Sequence, residues 1–83
     1  MVELLPKARV KWACRRGMLE LDVILESFVE QAYDALSDEG KYVFQRLVTC
    51  EDPDLFAWFM GHEECPDPEL KRMVKLILDR IRV

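Results

Sequence analysis

Histidine, carboxylates and cysteine stand together in His62-Glu63-Glu64-Cys65, the residue types that ligate metals and activate nucleophiles. A zinc or comparable site needs three or four ligands in good geometry. His62 is the only histidine, and the other two cysteines, Cys14 and Cys50, belong to no CxxC pair. A Cys–His nucleophile would also need an oxyanion hole, and nothing in the sequence supplies one. A glycine-rich phosphate cradle and a paired-carboxylate cleft are equally absent from the pattern. In a chain of 83 residues there is little room for a pocket that excludes water. The stretch therefore reads as a loop, and no catalytic group, metal or tightly bound cofactor is expected.

A second constellation is Arg16-Gly17-Met18-Leu19-Glu20. A planar guanidinium and a carboxylate four residues apart flank a glycine that leaves bare backbone open to close approach. Either Gly17 ends a helix beside an incidental Arg16–Glu20 pair, or the corner touches another molecule. Trp12 lies within a basic block of Lys7, Arg9, Lys11, Arg15 and Arg16 that contains no acid, and tryptophan with arginine is the pairing enriched at binding hot spots.

Charge is laid out in stripes. Asp22, Glu26, Glu30 and Asp34 recur every four residues, as do Lys7, Lys11 and Arg15. Like charges at that spacing on one helix repel by roughly 0.2–0.5 kcal/mol per pair. Two antiparallel helices could turn these stripes toward each other as an intramolecular ion network. The alternative is that one stripe faces a partner protein.

The totals restrict the function further. Net charge is −4, and from Gly17 onward seven bases meet fifteen acids, which argues against nucleic acid as a partner. Three cysteines, an odd number, and no leader-like apolar core in MVELLPKARV point to a reducing cytoplasm with free thiols. No run reaches the ~18 apolar residues of a membrane span, so no stable membrane insertion is expected.

The elements that must position these groups are helices. Apolar residues recur at steps of three and four, and no stretch alternates with period two. A first helix is expected from about Pro6 to Arg15, with Gly17 as its stop. A second should run from Leu19–Asp22 to about Leu36, burying Leu21, Ile24, Leu25, Phe28, Ala32 and Leu36. Ser37 should cap a third that buries Val43, Phe44, Leu47 and Val48. Asp52 should cap a fourth with Pro53 at its first position, carrying Leu55, Phe56, Phe59 and Met60 to Gly61. Asp67 should cap a fifth, with Leu70, Met73, Val74, Ile77 and Ile81 on its apolar stripe. Trp58 reads as core and Trp12 as partly exposed. The result is an all-α, single-domain five-helix bundle over residues 1–83.

Taken together, ARVKWACRRGMLELD, YDALSDEGKYVFQRLV and DPDLFAWFMGH closely resemble the succinate dehydrogenase assembly factor family, SdhE in bacteria. The resemblance runs from about Lys7 to Leu78. Its most specific element is the RGxxE motif, here Arg16, Gly17 and Glu20. It implies a five-helix bundle that binds the flavoprotein subunit of succinate dehydrogenase, and also that of fumarate reductase, and promotes covalent attachment of FAD there. The flavin would end on the client protein, with no catalytic group from the helper. Arg16, Gly17 and Glu20 would lie on the client-binding surface, joined by Arg9, Trp12, Arg15, Met18 and Asp22. A monomer is expected, with a weak dimer as the alternative state. The functional alternative is a regulatory module of antitoxin type with no flavin role.

Overall fold

The computed structural model describes residues 4–81. Five α-helices follow one another: α1 Lys7–Ala13, α2 Leu19–Gln31, α3 Asp38–Val48, α4 Asp52–Phe59 and α5 Pro68–Ile81, with a 3₁₀ turn at Tyr33–Ala35 between α2 and α3. The all-α architecture expected from the spacing is the one observed. No helix among the described residues is long and apolar enough to cross a membrane. The side chain of Ile81 lies outside the described part, as do residues 1–3 of the N-terminal stretch.

Helix starts follow their local chemistry. The Ser37 hydroxyl accepts the Gly40 N–H at 3.1 Å, and Asp67 Oδ1 accepts the N–H groups of Glu69 at 2.9 Å and Leu70 at 3.2 Å. Each satisfies donors that a helix N-terminus otherwise leaves unpaired. The Leu70 bond first, then the Arg46 hydrogen bond and the weaker Glu69 bond, hold the Asp67 carboxyl below its usual range. Pro6 directly precedes α1, and its carbonyl receives Arg9 N–H at 2.9 Å and Val10 N–H at 3.1 Å.

Three expectations about where helices start and stop need correction. The fourth helix begins at Asp52 itself, after Glu51, and no side chain caps it. The Asp52 carboxylate is instead drawn to Arg16, at 3.2 Å. The second helix stops at Gln31, short of Leu36. Continued as α-helix, Tyr33 would sit about 120° around from Leu21, off the apolar stripe. Breaking at Ala32 lets the Tyr33 ring bury to 3% exposure against Phe44, at a centroid distance of 5.5 Å. The first helix ends at Ala13, not Arg15, and Gly17 stands four residues beyond its end.

The core forms where α2, α3, α4 and α5 converge. Leu21, Leu25, Phe44, Leu47, Leu55 and Ile77 are fully enclosed, and Phe28 stacks on Phe44 at 5.4 Å. Ile24, Leu36, Phe56, Trp58 and Met60 are only half-buried at its margin. Short α1 contributes Val10, with Cys14 just after it. Burial raises the Cys14 thiol to about 12, and its Sγ–H donates to the Val10 carbonyl.

What else places α1 is charge. Lys7 meets Asp34 at 2.6 Å, Lys11 meets Glu30, and Arg15 meets Glu26 at 3.8 Å. The two stripes read from the sequence therefore face each other as the intramolecular network. Asp22, the remaining acid of the stripe, makes a different set of bonds.

Candidate functional site

Between α1 and α2 the chain turns a corner over residues 14–18. The helix does not continue through Gly17, whose φ of 78° lies in the left-handed region. Glycine adopts this conformation without the strain other residues carry. Asp22, one turn into α2, reaches back over the corner. Its Oδ1 accepts the Arg16 N–H at 2.7 Å and its Oδ2 accepts the Gly17 N–H at 3.2 Å. One carboxylate thus satisfies two successive backbone donors and fixes how α2 leaves the turn.

The Arg16 side chain turns inward, at 16% exposure. Its Nη1 donates to the Cys50 carbonyl and to Asp52 Oδ1, both at 3.2 Å, while Nε is buried without a partner. Arg16 makes no ion pair with Glu20 among the described residues; its carboxylate partner is Asp52. Glu20 is exposed and enters no ion pair among the described residues, so its oxygens are open to an incoming donor.

The outer face of the corner is apolar as well as charged. Trp12 is 72% exposed, Leu19 76% and Val23 56%. Arg15 lies over the Trp12 ring at 5.7 Å, within cation–π range. Trp12, Arg15 and Glu26 line one shallow surface cleft, and Val23 stands one turn before Glu26 on α2. Exposed apolar residues thus stand near the end of α1 and at the start of α2, the two helices that the Arg15–Glu26 pair joins. Arg9 is exposed on α1, and Met18 is half-buried in the turn. Of the eight residues named from the sequence, Arg9, Trp12, Arg15, Gly17 and Glu20 reach the surface, and Met18 does so in part. Arg16 and Asp22 brace the corner from within.

Leu19 and Val23 were missed by the sequence reading. Their phase could have found them, since both fall on the far side of α2 from Leu21 and Leu25. An isoleucine-sized apolar group exposed alone is ordinary, but an exposed tryptophan on α1 together with two exposed aliphatic side chains in the first turns of α2 is an unusual amount of open apolar surface for two successive helices.

The His62–Cys65 stretch is arranged differently. His62, Glu63 and Glu64 are exposed, and Cys65 is buried with its Sγ toward the Asp67 carbonyl at 3.7 Å. They line an open cleft of about 440 Å³ with Trp58, Lys71 and Val74. The His62 ring meets the edge of Phe56 at 5.9 Å. All three cysteines are free, and burial raises the Cys50 thiol.

Residues 8–81 match the family described as "Flavinator of succinate dehydrogenase". The chain belongs to that family. A protein of Idiomarina loihiensis named FAD assembly factor SdhE is 65% identical over 77 residues, covering 93% of this chain and 86% of the relative. Its namesake in Shewanella oneidensis is 65% identical over 79 residues, covering 95% and 96%. The solution structure of a UPF0350 protein matches with a TM-score of 0.74 at 46% identity, covering 100% of this chain and 93% of that one. The membership confirms the family resemblance seen in the sequence. Both relatives carry the name of an assembly factor.

Proposed function

We propose that this member of the flavinator family promotes covalent attachment of FAD to the flavoprotein subunit of succinate dehydrogenase by docking its α1–α2 corner on that subunit. Fumarate reductase, whose flavoprotein poses the same chemical task, is the second client. The carrying observation is the exposed face around Gly17, where Trp12 and Leu19 stand open and Glu20 is exposed with no ion-pair partner among the described residues. Apolar surface of this kind contributes roughly 25 cal/mol per Å² when a partner covers it. Arg9 and Arg15 supply cations at the rim, and bare backbone at Gly17 admits close contact.

Docking is sufficient for the task. Attachment requires the client's acceptor side chain and its flavin to meet in attack geometry. A partner that binds this arrangement more tightly than the open one shifts the population toward it. The flavin remains on the client, and the helper acts as a monomer. Free thiols at Cys14, Cys50 and Cys65 suit a reducing cytoplasm as the place of action.

The test is co-expression of the flavoprotein subunit with and without this protein in cells lacking their own factor. Covalent flavin is read as fluorescence on denaturing gels. A strong flavin band only with the factor supports the reading, and equal bands at limiting time remove it.

A further inference from the structure

The docking corner is not held by its own helices alone. Arg16 joins it to the α3–α4 connection, through the Cys50 carbonyl and the Asp52 carboxylate that lies 36 residues along the chain. The guanidinium is mostly enclosed, and its Nε already lacks a partner. A cation so desolvated stays inside only while a counter-charge meets it; removing one partner of such a pair leaves the other uncompensated. Asp52 is the only carboxylate that Arg16's side chain pairs with among the described residues.

We propose that Asp52 is a positioning residue for the client-docking corner, acting through Arg16. This rests on the docking reading above. With Asp52 ionised, Arg16 is kept turned inward, and the outer face presents Trp12, Leu19 and Glu20 around a fixed Gly17. Without that charge, Arg16 leaves its enclosed position for water. It then carries a third cation to the rim occupied by Arg9 and Arg15, and its backbone is no longer anchored from both sides. Asp52 itself sits in α4, outside the corner, so its influence on docking passes through the ion pair.

Asp54 provides the internal control. It lies in the same first turn of α4, is exposed, and makes no bond to Arg16. Both acids favour the positive end of the helix dipole, so Asp54→Asn reproduces the loss of charge at the helix start without touching the corner.

The experiment compares wild type, Asp52→Asn, Asp54→Asn, Arg16→Met and the Arg16→Met/Asp52→Asn double variant. Affinity for the purified flavoprotein subunit, thermal midpoint, and amide exchange at Arg16 and Gly17 in the free protein are measured for each. Asp52→Asn is expected to weaken binding about tenfold, equivalent to about 1.4 kcal/mol, and to speed exchange at both amides. Asp54→Asn should do neither. In the Arg16→Met background the Asp52 change should have no further effect on binding, because the pair acts as one unit. Independent, additive losses would mean that Asp52 only supports α4 and would overturn the proposal. If wild type binds while Asp52→Asn and Asp54→Asn behave alike, the positioning role alone fails. If wild type itself neither binds nor raises flavin, the docking reading fails and takes the positioning role with it.

Discussion

Two corners of this molecule turn on an exposed glycine in the left-handed region, Gly17 with φ 78° and Gly61 with φ 79°. At neither would an added Cβ meet any atom within 4 Å. They differ in what holds them. At Gly61 the backbone closes α4 on itself: the His62 N–H reaches the Ala57 carbonyl at 2.8 Å and the Gly61 N–H reaches that of Trp58 at 3.4 Å. This paired 6→1 and 5→2 pattern is available to any helix that ends in glycine. At Gly17 the bonds come from side chains: Asp22 on two backbone donors, and Arg16 on the α3–α4 connection. A backbone closure needs only glycine. The side-chain closure makes the shape of one small surface depend on three separated parts of the chain. The glycine alone does not mark a site; its neighbours do, with Trp12, Leu19 and Glu20 open around one corner and polar His62, Glu63 and Glu64 around the other.

The widest separation between the corners is expected from substituting the glycines. Gly17→Arg and Gly61→Arg each force a side chain into left-handed backbone, at about 1–2 kcal/mol. Similar drops in thermal midpoint should follow. Covalent flavin on the client should nearly vanish with Gly17→Arg and persist with Gly61→Arg. Equal flavin with both variants would erase the distinction.

Next in size are the exposed side chains. Trp12→Ala should lower client affinity at least about tenfold, as truncating an interfacial aromatic anchor does. His62→Ala should leave affinity unchanged. Neither should move the urea midpoint appreciably, since both side chains lie in solvent. A Trp12→Ala protein that binds like wild type would move the docking surface elsewhere.

Asp22→Ala is expected to act on stability and docking together. It leaves the Arg16 and Gly17 N–H groups to water, a loss comparable to a missing helix cap, about 1 kcal/mol. Asp22→Asn, which keeps one acceptor, should lose less. Urea denaturation separates the two.

The smallest effect belongs to the ion stripes. Hydrogen bonds to Lys11 and Lys7 hold the carboxyls of Glu30 and Asp34 below their ordinary range. A carboxylate lowered in the folded state adds stability above its unfolded value, and that stability is lost as pH falls through the folded one. The urea midpoint should therefore decline on acidification below about pH 4. Glu30→Gln should show a shallower decline. Because the pairs are exposed, added salt should weaken them.

Legibility in the sequence followed the range of the interactions. The stripes themselves were readable because a four-residue spacing fixes a helix face, while the choice between pairing with each other and facing a partner was decided by the ion pairs of Lys7, Lys11 and Arg15. Ser37 and Asp67 were readable as caps because their partners lie two or three residues away. Asp52 has the same local pattern as Asp67, but Arg16 competes for its carboxylate from the far side of the chain, and local reading has no access to that competitor. The end of α2 was hidden for a similar reason, since the break at Ala32 serves a contact between Tyr33 and Phe44. At the corner, the motif Arg16, Gly17 and Glu20 was legible as a unit, yet its parts separate in space. Gly17 and Glu20 face outward while Arg16 faces in, a division decided by tertiary contacts.

Covalent flavin on the succinate dehydrogenase flavoprotein subunit, co-expressed with Glu20→Ala or with His62→Ala, sets the two corners against each other most directly. At matched client amounts and limiting time, the flavin band should be strongly reduced with Glu20→Ala and equal to wild type with His62→Ala. A full band with Glu20→Ala, or its loss only with His62→Ala, would place the working surface at the α4–α5 end and contradict the assignment to the Gly17 corner.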